Sequence, residues 1–420
     1  MRRRVLGMIL AGGRGNRLQP LTRFRSKPAV PFGGMYRIVD FVLSNFVNSG
    51  IKSIYVLTQF LSQSLVEHIH RAWTGTHLMP GNFIIPVPAQ MQTGGEIWYR
   101  GTADSIYQNM NLVRETLPDL VCIFGGDHIY FMDIGQMLRA HVASGAEATV
   151  ASLPLPRGEA SAFGVIEVEK SGRVVGFHEK VEKPPTVPDD AARCLVSLGN
   201  YVFHRQILDE VLEADAKDPS SSHDFGKDIL PRMVASGRRV FSYDFESNRI
   251  PGRPDEMRNT YWRDVGTVDA YYDANLDLKE VVPKLDLYNR DWNVHTAASN
   301  SPPAKFVQGE GGKVAEVHRT IVGPGSVLSG CRVEDCVLGR RVRVQSHATV
   351  AASILMDGVT IEAGCRVQRA IVDKNVVVAR GTDVGFRPDA DRDRGWTVTE
   401  SGITVIPKNP VVRPVTTVEL

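Results

Sequence analysis

A repeat of aliphatic residues runs through residues 321–384, whose sequence is IVGPGSVLSGCRVEDCVLGRRVRVQSHATVAASILMDGVTIEAGCRVQRAIVDKNVVVARGTDV. The intervals between them are 6, 6 and 5, so the pattern returns every 17 residues. Its members are Ile321, Val327, Val333, Leu338, Val344, Val350, Leu355, Ile361, Val367, Val372, Val378 and Val384. This spacing is typical of a parallel β-helix, in which each coil turns one aliphatic side chain inward from each of three short strands. We therefore predict a β-helix here.

The chain before residue 280 has a different pattern, in which short apolar runs alternate with amphipathic stretches. Such alternation is typical of an α/β domain with a parallel sheet covered by helices. The predicted strands are 5–11, 53–58, 120–124, 148–153, 164–168, 174–178, 196–203 and 240–245. The predicted helices are 36–49, 62–73, 102–115, 134–144 and 268–278. Residues 74–96 contain many breakers, and we expect no core element there.

The composition changes between the two patterns. Residues 282–313 contain Pro283, the run Ser301-Pro302-Pro303 and the glycine-rich stretch 309–312. Because proline and glycine interrupt helices and strands, this segment favours a linker. We predict one domain at 1–281, a linker at 282–313, and a β-helix domain with a C-terminal tail at 314–420.

The overall composition excludes several classes of protein. A chain of 420 residues with 43% hydrophobic and 23% charged residues is expected to form two or three globular domains. The net charge of +2 provides no strong field for nucleic acid or a membrane surface. No apolar run is long enough to span a membrane, and the basic start MRRRVLGMIL lacks a cleavage site. Five cysteines without paired spacing indicate free thiols, no structural metal and a cytoplasmic protein.

A glycine-rich loop follows the first predicted strand, with the sequence GGRGNRL at residues 12–18. Glycines let the backbone approach a phosphate, and Arg14, Arg17 and Lys27 supply positive charge. The loop matches neither the Walker A motif nor the dinucleotide motif. It indicates an anion-binding loop, and an ordinary turn with solvated arginines is the alternative.

Two aspartates stand at the ends of apolar runs. Asp127 follows the predicted strand 120–124, and Asp264 precedes the predicted helix 268–278. A carboxylate at the carboxyl end of a strand fits a magnesium ligand in a nucleotide site. Aspartates before helices are also common N-caps, which is the alternative. His128, considered alone, favours an ordinary hydrogen-bonded loop histidine.

Two further segments carry chemistry. Glu179-Lys180 and Glu182-Lys183 are Glu-Lys pairs three residues apart. A lysine there fits a substrate phosphate, although the pattern alone favours a charged, solvated loop. The run WYR at residues 98–100 fits a ligand wall or plain packing. Thr102 fits the N-cap of the helix that follows.

Nine ordered motifs together resemble the glucose-1-phosphate adenylyltransferase family. They are LAGGRGNRL (10–18), KPAVPFGG (27–34), WYRGTADSIYQN (98–109), GGDHIY (125–130), FGV (163–165), EK (179–180), SLGNYVF (197–203), DFGKDILP (224–231) and YWRDVGT (261–267). The resemblance extends from about residue 5 to residue 385. It implies a Rossmann-like nucleotidyltransferase domain with a mostly parallel sheet, followed by a left-handed β-helix.

The resemblance also implies a site. Nucleotide-binding residues would be Gly12, Gly13, Gly15, Arg17, Gln90, Gly101 and Thr102. Residues for glucose 1-phosphate would be Tyr99, Gly164, Glu179, Lys180 and Ser197. Asp127 and Asp264 would bind Mg²⁺, and the catalytic residues would be Arg17, Lys27 and Asp127. The sugar phosphate oxygen would attack the α-phosphorus of ATP and displace pyrophosphate, without a side-chain nucleophile. Small-molecule effectors and a homotetramer are also implied, with no nucleic acid or membrane partner.

The sequence departs from the family pattern at several positions. Lys180 is followed by Val181 where the family has proline, so the Glu182-Lys183 pair is an alternative; the interval to Ser197 favours Lys180. Some bacterial members have a basic residue at the position of Phe24, a histidine at that of Pro31 and an arginine near Glu115. Those residues are tied to regulation by fructose bisphosphate and AMP, so this sequence does not predict that regulation.

Three other functions compete with this interpretation. A nucleotidyltransferase for UTP, dTTP or GTP would have the same phosphate loop. A non-catalytic regulatory subunit would have the same fold. An acyltransferase in the β-helix would need a base, for which His318 and His347 are the candidates.

Overall fold

The computed structural model describes residues 3–73, 81–90, 98–161, 163–179, 181–187, 190–254 and 257–408. The strands that precede the β-helix are β1 (Val5–Ala11), β2 (Pro31–Phe32), β3 (Tyr36–Arg37), β4 (Ser53–Thr58), β5 (Phe83–Pro88), β6 (Leu120–Gly125), β7 (His128–Tyr130), β8 (Ala148–Pro156), β9 (Gly164–Val168), β10 (Val174–Glu179), β11 (Arg193–His204), β12 (Val240–Asp244) and β13 (Trp262–Asp264). The helices are α1 (Ile38–Asn48), α2 (Gln63–Trp73), α3 (Thr102–Tyr107), α4 (Met110–Thr116), α5 (Ile134–Ser144), α6 (Arg157–Ala160), α7 (Arg205–Ala216), α8 (Leu230–Ala235), α9 (Val268–Leu276) and α10 (Pro388–Asp393).

The first domain is built on a nine-stranded sheet. Its main path runs β10-β9-β11-β6-β1-β4-β5, and β8 and β12 extend it from β11. The strands β6, β1, β4 and β5 pair in parallel, whereas β11 pairs antiparallel with β6, β8 and β9. The parallel block confirms the predicted α/β class. Because β1, β4 and β6 run the same way, the loops after them meet at one edge of the sheet.

The predicted helix at 102–115 is wrong, because the structure divides it into α3 and α4. The Asn109 side chain donates to the Ser105 carbonyl, at 2.8 Å, and to the Tyr99 hydroxyl, at 3.0 Å. A side chain that binds the helix backbone in this way competes with the continuing helix. The helix is therefore interrupted between Tyr107 and Met110.

The expectation of no core element in residues 74–96 is also wrong. Strand β5 pairs in parallel with β4 at the edge of the sheet. Ile84 and Val87 are both buried, in two separate core clusters, while Ile85 is 41% exposed. Pro86 and Pro88 are tolerated because an edge strand needs few backbone N–H donors. Helix α7 was not predicted either.

Residues 305–406 form a parallel β-helix with three sheets. Its strands are β14 (Lys305–Val307), β15 (Glu316–His318), β16 (Ile321–Val322), β17 (Val327–Ser329), β18 (Arg332–Glu334), β19 (Val337–Leu338), β20 (Arg343–Val344), β21 (Thr349–Ala351), β22 (Ile354–Leu355), β23 (Thr360–Ile361), β24 (Arg366–Gln368), β25 (Ala370–Val372), β26 (Val377–Val378), β27 (Asp383–Val384), β28 (Thr397–Val398) and β29 (Thr404–Ile406). The sheets run β14-β17-β20-β23-β26, β15-β18-β21-β24-β27 and β16-β19-β22-β25-β29-β28. All neighbours pair in parallel except β28 and β29.

The aliphatic repeat is confirmed from Val333 to Val384, where every predicted inward position is buried. It is wrong by one residue at its start. Leu328, not Val327, pairs with Val344, and Val322, not Ile321, pairs with Leu338. The coil from Leu328 to Val344 therefore has one residue fewer than those that follow, because the turn after Leu328 is shorter.

The two domains share a hydrophobic core. Phe32 and Tyr271 from the first domain belong to the same buried cluster as Ile354 and Ile371 from the β-helix. Strand β14 lies inside the predicted linker 282–313, since it already pairs in the first coil. The domain limits stay a prediction. Among the described residues, no helix combines the length and the apolar character that crossing a membrane requires.

Candidate active site

A cleft of about 1200 Å³ opens where the parallel strands β1, β4 and β6 end. The predicted site residues that line it are Gly12, Gly13, Gly15, Arg17, Lys27, Tyr99, Gly101, Thr102, Asp127, Gly164, Glu179, Ser197 and Asp264. Of the remaining two, Gln90 lines a small neighbouring pocket with Tyr99, and Lys180 lies outside the described residues. The fold thus brings together residues as far apart in the sequence as Gly12 and Asp264.

The glycine-rich loop leaves β1 at the floor of the cleft. Gly15 has a φ of 63°, a left-handed conformation that favours glycine, and its carbonyl accepts from the Thr22 hydroxyl at 2.9 Å. The short helical turn Asn16–Leu18 follows, with Leu18 buried and the Arg17 side chain 74% exposed. The backbone of the loop is therefore fixed, and the long, exposed side chain of Arg17 extends from it.

The ammonium group of Lys27 lies between two carboxylates. Its Nζ is 3.0 Å from Asp127 Oδ2 and 2.7 Å from Asp264 Oδ1. Arg17 Nη2 is 3.7 Å from the other oxygen of Asp264. This arrangement concentrates two negative and two positive charges at the floor of the cleft, where phosphate oxygens and a divalent cation would both find partners.

Strand pairing brings the two aspartates together. Strand β13 pairs antiparallel with β7, with Asp264 opposite His128. The N-cap alternative fails for both residues, because Thr267 caps α9 by accepting from Ala270 N at 3.2 Å, and Asp127 precedes a strand. Both carboxylates are therefore available to the cleft.

The charges at the cleft floor shift one another's pKa values. Burial opposes the charge of Lys27, but Asp127 and Asp264 more than offset it and raise the lysine pKa. Burial likewise opposes the charge of Asp127, and His128 and Lys27 outweigh it and lower the aspartate pKa to about 2. Both groups are thus ionised over the physiological range.

His128 is more than an ordinary loop histidine. Its Nε2 lies 3.6 Å from Asp127 Oδ1, and its ring is 4.7 Å from that of Trp262. Its Nδ1 is buried and has no hydrogen-bond partner among the described residues, which contradicts the expected satisfied histidine. Burial lowers its pKa, so the neutral ring is favoured.

The cleft lining also includes a carboxylate and hydroxyls from strands β10 and β11. Register pairs Glu179 with Gly164 across β10 and β9, and a Cβ at Gly164 would lie 2.8 Å from Glu179 Oε2. The hydroxyls of Ser197 and Tyr201 also line the cleft, on either side of a bulge in β11, and Ser197 Oγ accepts from Gly199 N at 3.3 Å. These groups match the hydrogen-bonding needs of a sugar. Lys183 is exposed and does not line the cleft, whereas Glu179 does.

The Gly101-Thr102 turn is fixed by a distant loop. The Thr102 hydroxyl donates to Asp224 Oδ2 at 2.9 Å and accepts from Phe225 N at 3.0 Å. A Cβ at Gly101 would collide with the His223 carbonyl, which accepts from Ala103 N at 2.8 Å. Thr102 is therefore not the predicted N-cap: the cap position of α3 belongs to Gly101, without a side-chain bond.

Several cleft residues were not predicted as site residues. They are Gln59, Phe163, Phe177, Tyr201, Asp224 and Trp262. Asp224 opens the DFGKDILP motif, which supported the resemblance but received no role. The signal that could have identified Asp224 as a site residue was a carboxylate followed by Phe-Gly at the start of this motif. The aromatic residues gave none, because their sequence surroundings resemble ordinary core.

Comparison with known proteins agrees with this arrangement. The family model described as "Nucleotidyl transferase" matches residues 6–281, and the one described as "GlmU-like, C-terminal hexapeptide" matches residues 302–406. A glucose-1-phosphate adenylyltransferase of Deinococcus radiodurans is 49% identical over 98% of this chain and 100% of its own length. The chain belongs to the glucose-1-phosphate adenylyltransferase family.

Other members of the glucose-1-phosphate adenylyltransferase family match equally well. The protein of Thermus thermophilus is 51% identical over 96% of this chain and 98% of its own length. Glucose-1-phosphate adenylyltransferase 1 of Vibrio parahaemolyticus is 50% identical with the same coverage of both chains. The chain is therefore a nucleotidyltransferase, and the fold predicted from the resemblance is confirmed.

Proposed function

We propose that this protein transfers the adenylyl group of ATP to glucose 1-phosphate, giving ADP-glucose and pyrophosphate. ADP-glucose would serve as glucosyl donor for glycogen or a related α-glucan. The observation that carries the proposal is the Lys27-Asp127-Asp264 cluster, which lines the same cleft as the glycine-rich loop, Glu179 and Ser197. The names of the relatives support the choice of ATP and glucose 1-phosphate.

The reaction needs the attacking oxygen of glucose 1-phosphate to lie in line with the leaving pyrophosphate oxygen at the α-phosphorus of ATP. The glucose 1-phosphate oxygen attacks the α-phosphorus of ATP, and the bond to the bridging oxygen of pyrophosphate breaks. Arg17 is exposed and free to follow the triphosphate, whereas Lys27 is anchored by its buried helical turn. Both cations stabilise negative charge that grows on the phosphate oxygens, which requires no covalent intermediate.

The residues present fit a magnesium ion. Mg²⁺ binds one or two carboxylates together with water and phosphate oxygens, rather than a cage of protein ligands. Asp127 and Asp264 provide such a pair, since both contact the same ammonium group. We propose these two residues as its ligands; when bound, the ion neutralises phosphate charge and orients the triphosphate.

The sugar end is proposed to contain Tyr99, Gly164, Glu179, Lys180 and Ser197. Gly164 leaves room for the Glu179 carboxylate, which is placed to accept from sugar hydroxyls. The Tyr99 backbone is held by Gln59, whose Oε1 accepts from Tyr99 N at 3.2 Å. Lys180 follows Glu179 directly, and its charge would pair with the sugar phosphate.

The nucleotide end is proposed to contain the glycine-rich loop, Gln90 and the Gly101-Thr102 turn. The Asp224 contact fixes the Thr102 hydroxyl, so Thr102 would shape the wall of this end. Gln90 is exposed on the rim of the neighbouring pocket, beside Tyr99. The Gln90 amide would therefore approach the nucleotide base from the side of this neighbouring pocket.

A second cavity supports binding of a small anionic effector. It has a volume of about 310 Å³ and lies between the first domain and the β-helix. Its cationic lining residues are Arg37, Arg71, Arg340, Arg341 and Lys374. Such a concentration of positive charge favours phosphorylated metabolites. Because the cavity touches both domains, an effector there would influence how they pack.

Assembly and compartment are also part of the proposal. The first coil of the β-helix exposes Phe306 and Val314, which are 51% and 60% exposed, and a homotetramer would cover apolar surface of this kind. The five cysteines are free thiols, as expected from their spacing, which suits the reducing cytoplasm.

One experiment tests the reaction. Purified protein is incubated with a panel of nucleotides and sugar 1-phosphates, and pyrophosphate release is measured. We expect the fastest release with ATP and glucose 1-phosphate. Equal rates with ATP and UTP would remove the adenine assignment, and no release with any pair would favour a non-catalytic regulatory subunit.

A further inference from the structure

Lys27 occupies the space between the two carboxylates that we propose as magnesium ligands. Its Nζ contacts Asp127 Oδ2 at 3.0 Å and Asp264 Oδ1 at 2.7 Å. The lysine side chain is only 7% exposed, against 36% and 25% for the two aspartates. The ammonium group is therefore the buried centre of the cluster, and the carboxylates lie on its solvent side.

The position of Lys27 is set by the fold rather than by the carboxylates alone. Lys27 opens the short helical turn Lys27–Ala29, whose three residues are all buried. A Cβ on Gly15 would lie 3.1 Å from the Lys27 Cβ, so the glycine-rich loop packs closely on the lysine stem. The stem is thus confined, while the terminal ammonium retains rotatable bonds.

A divalent cation and this ammonium group cannot share the same carboxylate oxygens without cost. Magnesium binds oxygen at about 2.0–2.1 Å, closer than the observed N–O distances. Like charges in a partly desolvated cluster repel strongly, and the two oxygens now face the ammonium. Metal binding at Asp127 Oδ2 and Asp264 Oδ1 therefore requires the ammonium to withdraw.

We propose that Lys27 competes with the metal ion for Asp127 and Asp264, so that the nucleotide-free protein binds divalent cations weakly. This inference rests on the proposed function, because it takes the two aspartates as the metal ligands. It adds a second role to Lys27. The residue holds the two carboxylates in place without metal, and it sets how easily metal enters.

The test measures metal binding rather than catalysis. The full-length protein without nucleotide is titrated with Mn²⁺, and free Mn²⁺ is followed by its electron paramagnetic resonance signal. Lys27→Met removes the charge but keeps a similar length. An opposite charge nearby lowers the affinity of a carboxylate for a proton by about one to three powers of ten. We expect a similar effect on a metal ion, so that Mn²⁺ binds this variant about 10-fold or more tightly than the wild type.

Three controls separate competition from other effects. Lys27→Arg retains a cation and is expected to keep the weak affinity. Arg17→Met removes a positive charge that is exposed and 3.7 Å from Asp264, so its gain should be much smaller. Adding Asp127→Asn to Lys27→Met should abolish the gain. Lys27→Gln provides a second uncharged variant, and thermal unfolding confirms that each variant is folded.

The outcomes are distinct. Equal or weaker Mn²⁺ affinity in folded Lys27→Met and Lys27→Gln would overturn the competition and leave the proposed reaction intact. The same gain in Arg17→Met as in Lys27→Met would overturn it as well, because a general charge effect would then suffice. Gains that survive Asp127→Asn would overturn both this proposal and the assignment of Asp127 as a metal ligand.

Discussion

Arg25 donates from Nη2 to both carboxylate oxygens of Asp373, at 2.7 and 2.6 Å, across the junction between the first domain and the β-helix. The two side chains are 4% and 1% exposed. Asp373 Oδ1 also accepts from the Lys374 backbone N–H at 2.7 Å. Because a buried charge needs a partner, this pair constrains how the two domains pack.

Arg25→Met should lower the free energy of unfolding by about 3–5 kcal/mol, because it leaves the Asp373 carboxylate buried without its cation. Chemical denaturation of the purified protein measures the change. Adding Asp373→Leu should restore most of the loss, since no unpaired charge then remains. Arg23→Met is the matched control, because Arg23 is exposed on the same segment. An equal loss in Arg23→Met would contradict the prediction.

Asp127→Asn should keep the fold and lower turnover at least about 100-fold, because it removes a charge that acts on the reacting phosphates. Steady-state kinetics at saturating Mg²⁺ checks this. Asp119→Asn is the control, since Asp119 borders the same strand β6 at its other end and accepts from Arg4 N at 2.7 Å. Half the wild-type activity in Asp127→Asn would refute the assignment.

Lys180→Ala should raise the KM for glucose 1-phosphate by roughly 10- to 150-fold, the value of one charge-assisted hydrogen bond. The KM for ATP should change little, because the proposed contacts to ATP involve other residues of the cleft. Lys183→Ala is the matched control, as Lys183 is exposed. A larger effect in Lys183→Ala would move the sugar phosphate contact to the second Glu-Lys pair.

Val344→Asp should destabilise the β-helix by several kcal/mol, because Val344 is 1% exposed in the β-helix core and the carboxylate would have no partner. Arg343→Asp, one position along the same strand, faces solvent and should be tolerated. Sedimentation, with activity measured on the same fractions, follows assembly. Unchanged sedimentation with normal activity in Val344→Asp would contradict both the inward position and the proposed role in assembly.

Anion binding in the cavity between the domains should weaken as the pH rises through about 8. Burial, together with Arg37 and Arg25, lowers the pKa of Lys374 to about 8, although Asp357 opposes the shift. The ammonium is charged below that pH and attracts anions, and above it the charge is lost. Arg37, whose pKa burial lowers to about 10, stays charged in this range.

Sulfate is a suitable probe, because its charge is constant between pH 7 and 9. Its affinity is measured by calorimetry for the wild type and for Lys374→Arg. The variant should lose the pH dependence, since arginine remains charged. A flat profile in the wild type would show that Lys374 does not contact the anion.

The sequence alone determined the elements whose pattern repeats locally. Strands β1 and β4 and helix α5 have the predicted limits, and the aliphatic repeat is correct from Val333 onward. Local periodicity indicates which side of a segment is buried, and a single sequence is enough to show it. The glycine-rich loop and its cations were recognisable for the same reason, because their chemistry is contiguous.

Only the tertiary structure decided which distant residues meet. The pairing of β7 with β13 joins Asp127 to Asp264, and the Thr102 contact makes Asp224 part of the cleft. The short coil from Leu328 to Val344 and the Arg25-Asp373 pair could not be predicted either. Each depends on a contact between surfaces far apart in sequence, and such contacts leave no period or spacing in the chain. Because the entropy of closing a long loop depends only weakly on its length, the separation of two segments does not indicate whether they meet.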